Sequence, residues 1–352
     1  MKRMISAGIV SVVLTTMPML RPAFAQQEQR GTDGGRQQGA DASRGYSIRA
    51  LGALPGGTWS RALAINDHGQ IAGVSDSPSG APHAVLWDKG MIVDLDPSGA
   101  FDDAHDINKR GQIVGSGNTA SGDFHAMLWD DGAIMDLGTL GGHNSSAEAI
   151  NERGQIVGSS DTAAGQQHAF LWENGVMFDL GTLPSGPFIS ASIAWDINKR
   201  GQVVGVSSTA TGEQHAFLWE RGTMGDLGTF AGGSFSSAIG IDERGQVAGV
   251  SNDVGGFSDP QAALWSNGTI TDLGPPESIA RAINKRGQIA GEARSASGDF
   301  RAFLWQHDRF TDLAMLPGET SSVAWDVNDA GQVVGESLTS SFASTAVVWS
   351  KR

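Results

Sequence analysis

Histidines, carboxylates and serines are the residues of this chain that could do chemistry, since it has no cysteine. That absence excludes disulfides, a thiol nucleophile and thiolate metal sites. Of the eight histidines, His83, His125, His168 and His215 open one recurrent word, His-Ala-x-Leu-Trp, and His68, His105, His143 and His307 lie elsewhere. A histidine repeated in this way reads as structural. No Gly-x-Ser-x-Gly elbow stands before a helix to expose a serine nucleophile. Gly141-Gly142 and Gly232-Gly233 lack the Lys-Ser/Thr of a phosphate loop, and no histidine pair has zinc spacing on a helix. The sequence thus offers no catalytic residue, no metal-ligand set and no cofactor motif. Asp96, Asp102, Asp103 and Asp106 with His105 have the oxygen-rich character of a calcium loop. The competing reading is a solvated acidic loop.

Charge narrows the partners. The formal net charge is -14 with few basic clusters, which argues against nucleic acid and anionic membrane surfaces. The pairs Lys109-Arg110, Lys199-Arg200 and Lys285-Arg286 could form a basic rim for anions, or be ordinary solvated turn residues.

The elements that must position these groups form a repeat. Gly-Gln pairs begin at Gly69, Gly111, Gly154, Gly201, Gly245, Gly287 and Gly331, and tryptophans follow at Trp87, Trp129, Trp172, Trp219, Trp265, Trp305 and Trp349. Seven copies spaced 40 to 47 residues apart mean units that cannot bury their faces alone. Each copy carries four strand signals: A (Ala-x-small-Ile-Asn, as in Ala62 to Asn66), B (Gln-Ile-Val-Gly, Gln112 to Gly115), C (the His-Ala word) and D (an apolar run to Asp-Leu-Gly, Val176 to Gly181). A joins B through Asn-x-x-Gly and C joins D through Trp-x-x-Gly, both read as type I turns closed by a left-handed glycine. The glycine inside strand B (Gly73, Gly115, Gly158, Gly205, Gly249, Gly291, Gly335) suits a place where another backbone approaches. Seven four-stranded antiparallel units predict an all-β, seven-bladed β-propeller over residues 45–352. The last copy ends at Trp349 without a strand D, while Arg49 to Leu54 matches the end of one, Met135 to Leu140. Residues 46–54 should therefore complete the last blade and close the ring.

The words also resemble those of the HAF repeat family of secreted bacterial proteins. His168-Ala169-Phe170 and His215-Ala216-Phe217, with their Leu-Trp, Asp-Leu-Gly-Thr-Leu and Ile-Asn-x-x-Gly-Gln neighbours, carry the resemblance over nearly all of residues 46–349. His83-Ala84-Val85, His125-Ala126-Met127, Gln261-Ala262-Ala263, Arg301-Ala302-Phe303 and Thr345-Ala346-Val347 depart from it. The resemblance implies an extracellular or envelope protein and supplies no catalytic residues.

The start of the chain agrees with export. Lys2 and Arg3 precede an apolar run that Arg21 and Pro22 end, and Ala23-Phe24-Ala25 matches a cleavage site. Residues 1–25 read as a signal peptide and 26–44 as a polar, disordered leader. Removal of Lys2, Arg3 and Arg21 takes the charge from -14 to -17. The expected product is a periplasmic or extracellular monomer without membrane insertion.

Two functional classes follow. The first is a non-enzymatic binding or scaffolding propeller with a glycan, peptide or protein ligand. The second is a polymer-acting hydrolase or lyase, on a polysaccharide, with its site at the channel mouth. The D–A and B–C connections vary and share one rim, where recognition usually sits. Position x of strand A also varies, through Leu63, His105, Glu148, Trp195, Ile239, Arg281 and Trp325. His105, Glu148, Trp195, Arg281 and Trp325 are the candidate ligand-binding residues, near the start of the innermost strand. The alternative for x is packing between blades. A second expectation is a hydrogen-bonded tether across the C–D hairpin, from the first residue of the His-Ala word to the strand-D aspartate, as in His168 with Asp179.

Overall fold

The chain is a seven-bladed β-propeller. A computed structural model describes residues 45–99, 102–184, 186, 190–253 and 260–352. The predicted signal peptide and leader, and parts of the variable connection 184–190, lie outside the described residues.

Every blade is a four-stranded antiparallel sheet in the order A-B-C-D, and the seven A strands meet one another around the central channel. Blade 3 shows the pattern: Gly141–Ile150, Ile156–Thr162, Gln167–Glu173 and Val176–Gly181. Blade 7 is completed as the sequence predicts. Its strands Ser321–Val327, Val333–Leu338 and Ser344–Lys351 are followed outward by Tyr46–Ala50, paired from Tyr46↔Lys351 to Ala50↔Val347.

The core lies between blades. Each hydrophobic cluster joins two neighbours, as where Val114, Ala126 and Leu128 of blade 2 meet Ala147, Ile150 and Phe170 of blade 3. The phenylalanine of the His-Ala word is its anchor, since Phe170, Phe217 and Phe303 are fully buried. Each pairs with a strand-B glycine, such as Gly158↔Phe170 and Gly205↔Phe217. At all seven such glycines an added Cβ would fall 1.8–2.1 Å from a carbonyl oxygen of strand A. The close approach arises from a register shift in strand A at position x, between Ala194 and Asp196 in blade 4, which is a β-bulge.

Polar groups bind neighbouring blades together. A strand-A serine accepts the N–H of the alanine in the preceding blade's strand-C word, at 2.8–3.1 Å, from Ser145 with Ala126 round to Ser60 with Ala346. The asparagine of each A–B turn reaches forward to a backbone carbonyl of the next turn at 2.8–3.3 Å, and Asn328 closes the circle on Asn66. Blade 5 breaks this chain, because Asp242 stands where the others have asparagine and has no amide to donate; it takes Arg244 instead.

One turn differs from its sequence reading. In the C–D hairpins both loop residues are left-handed, as in Asn174 (φ 53°) and Gly175 (φ 85°), which makes them type I′ turns. The A–B turns stay in the predicted form because the asparagine side chain holds them. Asn66 Oδ1 accepts the N–H groups of His68 and Gln70.

Candidate functional site: the central channel

The seven x residues stand one per blade on the innermost strands, in a ring around the channel. Trp195 is the fourth of six residues in Ser192–Ile197, and His105 the third of five in Asp103–Ile107. The ring therefore lies at mid-depth, deeper than the sequence suggests, and all seven side chains are half-buried.

The structure brings the five candidate residues into two groups, with Trp195 between them in the blade order. His105 Nδ1 is 2.9 Å from the Ala147 carbonyl oxygen and 3.3 Å from Glu148 Oε2 in the next blade. Burial alone would lower the imidazole pKa, but the Glu148 charge and hydrogen bond outweigh it and raise the value to about 9. Burial would raise Glu148, yet His105 and the Ser146 hydroxyl hold it below the usual range. The pair is therefore imidazolium and carboxylate at neutral pH. Across the ring, Arg281 bonds Glu292 through Nε and Nη2 at 2.6 and 2.5 Å. Its guanidinium carbon also lies 3.9 Å from the centre of the Trp325 ring. Trp325 Nε1 donates to Glu336 at 3.2 Å. Trp195 Nε1 is buried without a hydrogen-bond partner.

Of three aspartates next to this ring, Asp196 and Asp326 escaped the sequence reading and Asp106 entered it only as part of the acidic loop. Asp106, Asp196 and Asp326 occupy the position following x, where the other blades have Ala64, Ala149, Gly240 and Ala282. Each carboxylate accepts the N–H of its own next residue and that of the equivalent residue one blade on, at 2.7–2.8 Å. Six of the seven blades are served this way. Blade 6 is not, since Gly240 precedes it and Ala282 is its own. Burial raises all three, with mutual repulsion adding at Asp106 and Asp196: Asp106 and Asp196 to about 7, Asp326 to about 6.

These shifts set a pH dependence. Between about pH 4 and 7 the three folded aspartates hold protons that the unfolded chain has released, so stability falls as pH rises through that window. His105 extends the fall, because its pair is fully present below the unfolded value of about 6.5 and is lost as pH rises toward 9. The melting temperature is expected to decrease steadily from pH 5 to pH 9. In Asp106→Asn/Asp196→Asn/Asp326→Asn the slope between pH 5 and 7 should flatten, while His105→Gln should flatten the part above pH 7. A wild-type melting temperature that rises over this range contradicts the assignment.

The mouth at the A–B turns carries charge in alternation: Asp67, Lys109, Glu152, Lys199, Glu243, Lys285 and Asp329, around a recess with Ile65, Ile107 and Ile283 among its lining. Lys109 Nζ is 2.6 Å from Asp67, Lys199 Nζ is 3.5 Å from Glu243, and Lys285 pairs with Asp329 and reaches to 3.8 Å from Asp67. Lysine hydrogen bonding and charge outweigh burial and keep Asp67 below its usual range. Lys109, Lys199 and Lys285 thus face acidic neighbours across blade boundaries, so this mouth is not a basic rim.

The outer hairpins hold the four histidines of the recurrent word. His125, His168 and His215 Nδ1 lie 2.8 Å from Asp136, Asp179 and Asp226, and His83 Nδ1 lies 3.1 Å from Asp94. The hydrogen-bonded tether forms for His125, His168 and His215, whereas His83 Nδ1 lies near Asp94 without a hydrogen bond. Gln261 and Arg301 do not make it, and Arg301 Nε is buried without a hydrogen-bond partner. Of the acidic loop, Asp106 faces the channel amides and Asp102 takes Asn118. Among the described residues no group of three or more His, Asp or Glu is placed to hold a metal ion.

Solved structures share this architecture. The propeller domain of the Trilobed protease from Pyrococcus furiosus, described as having an open velcro topology, superposes with a TM-score of 0.56 at 10% identity, over 84% of this chain and 97% of that one. An acylaminoacyl peptidase of Pyrococcus horikoshii gives 0.54 at 12% identity, over 84% of this chain and 52% of that one. A puromycin-hydrolyzing peptidase of Mycobacterium tuberculosis gives 0.52 at 11%, over 85% and 54%. The chain thus spans about half the length of these two peptidases. At such identities the likeness is one of fold. No family model and no curated protein matches the sequence.

Proposed function

We propose that the protein is an exported, non-enzymatic binding propeller that takes a glycan or peptide into its channel from the rim of the D–A and B–C connections. Its contacts are Trp195, Trp325, Arg281, Glu148 and His105. The observation that carries this reading is the state of the channel's polar groups. Apart from Trp195 Nε1, they are engaged with one another or with backbone amides, as in His105–Glu148 and Arg281–Glu292, and among the described residues none forms a nucleophile–base pair. The paired lysines and carboxylates at the A–B mouth support approach from the opposite rim. Lys2, Arg3 and the Ala23-Phe24-Ala25 site support export.

The hydrolase or lyase reading retains one specific support. Asp106 and Asp196, pushed up to about 7, fall in the range of a general acid at neutral pH. His105, held as imidazolium, is unsuited to act as its base.

Glycan and peptide arrays probed with the full-length protein, followed by a depolymerisation assay on any ligand found, separate the two. Binding without turnover, lost in a folded Trp195→Ala/Trp325→Ala variant, is the expected result. Product release that Asp106→Asn/Asp196→Asn abolishes would overturn it.

A further inference from the structure

The repeat shows one arrangement twice, complete in blade 7 and incomplete in blade 4. In blade 7, Trp325 has a cation on its face, Arg281 from the preceding blade at 3.9 Å, and an acceptor on its indole N–H, Glu336 of strand B. Arg281 is in turn held by Glu292, eleven residues further along its own blade. In blade 4, Trp195 occupies the same ring position, but the residue eleven positions on is Val206, which has no acceptor. The preceding blade offers Glu148 where Arg281 would be, and Ser159 where Glu292 would be. Trp195 Nε1 is consequently a buried donor without a hydrogen-bond partner. Such groups are few in native proteins. Among the described residues, the cations over tryptophan rings are Arg281 on Trp325 and Arg61 on Trp59, so Trp195 has none.

We propose that Trp195 binds a basic peptide, with an arginine or lysine side chain stacked on the indole face toward Glu148. The assignment rests on the channel reading above and names its ligand class. The protein's own Arg281 shows that a guanidinium fits against a tryptophan at this ring position. The surroundings favour a cation, since Glu148 stands on the side from which the cation arrives and Asp196 follows Trp195 directly. Asp106 and Asp326 add carboxylates to the same lumen. A desolvated cation on an indole face is among the stronger contacts of its kind. Glu148 also holds His105, so a ligand cation would share it, while an anionic ligand would meet these carboxylates.

The experiment is calorimetric titration of the full chain with N-acetyl-tri-arginine amide and with its neutral isostere, N-acetyl-tri-citrulline amide. The arginine peptide is expected to bind at one site, and the citrulline peptide about tenfold more weakly or worse. Trp195→Ala should weaken the arginine peptide by about tenfold, whereas Phe178→Ala, at an exposed position of an outer strand, should retain the affinity. Glu148→Arg/Ser159→Glu copies the blade 6–7 arrangement onto blades 3–4 and should abolish binding, because the protein's own guanidinium then covers Trp195. Equal affinity for the two peptides, unchanged affinity in Trp195→Ala, or no binding of the arginine peptide overturns the proposal. A neutral glycan that binds through Trp195 would leave the channel reading standing and remove this one. Failure of every array ligand would remove both.

Discussion

Arg281→Ala is expected to destabilise the protein by about 3–5 kcal/mol, the range for removing one partner of a buried ion pair. Arg281 and Glu292 have side-chain exposures of 13% and 6%, so neither charge can fall back on bulk water. Truncation leaves the Glu292 carboxylate with no cation, and it uncovers the Trp325 ring. The planar fork also matters, because two of its nitrogens bond the two oxygens of Glu292. Arg281→Lys should therefore recover only part of the loss. Urea unfolding is the measurement: the midpoint should fall while the slope stays constant. Replacing both partners, as Arg281→Met/Glu292→Leu, should restore much of the stability, because the cost lies in the unpaired charge. A loss below about 1 kcal/mol in Arg281→Ala, the size of an exposed pair, would show that water reaches the site freely.

Much of the architecture can be read from the sequence because each blade repeats its words. The Gly-Gln pairs and tryptophans count the blades, and the match of Arg49–Leu54 to Met135–Leu140 locates the closing strand, which the register Ala50↔Val347 fulfils. The strand-B glycines are legible for the same reason, being constant where neighbours vary. Turn type was less accessible. Asn-x-x-Gly and Trp-x-x-Gly look alike in sequence, yet Asn66 Oδ1 bonds two backbone amides of its turn, a hold that tryptophan cannot provide. The C–D loop closes as two residues between Glu173 and Val176, and the strand twist then selects type I′.

The site was legible only in part, because its contacts run between blades. Variation at x marked the ring, but not the pairing of His105 with Glu148 or of Arg281 with Trp325, which depends on which way each side chain leans across a blade boundary. Lys109, Lys199 and Lys285 looked like basic turn residues beside their arginines. Their counter-charges, Asp67, Glu243 and Asp329, lie one repeat away in the chain. The shared role of Asp106, Asp196 and Asp326 was hidden by a pattern that treated their position as small, so Asp106 was read only as part of an acidic loop. The available signal was a carboxylate recurring where alanine or glycine otherwise stands, at a place where a bulge leaves backbone N–H groups for it to accept.

Gly205→Ala is the sharpest test of how tightly strands A and B approach. An alanine Cβ there would lie 1.9 Å from the Ile193 carbonyl oxygen and 2.7 Å from the Phe217 ring. Backbone blocks one side and a fully buried aromatic the other, so neither neighbour can give way locally. The backbone at Gly205 is not left-handed, which leaves steric overlap as the whole of the penalty. Insertion into a close-packed core costs about 1–3 kcal/mol and sometimes more, and the upper end is expected because the bulge at Trp195 would have to move with Ile193. Gly225→Ala supplies the control. Gly225 lies on the exposed outer strand of the same blade, and a Cβ there meets nothing nearer than the Leu218 carbonyl oxygen at 3.7 Å. Its effect should stay within about 0.5 kcal/mol, as for other surface changes. Equilibrium unfolding of the two variants should therefore differ by most of the full penalty. Equal stabilities would mean that strand A has no bulge at Trp195, and the channel ring built on that bulge would have to be redrawn.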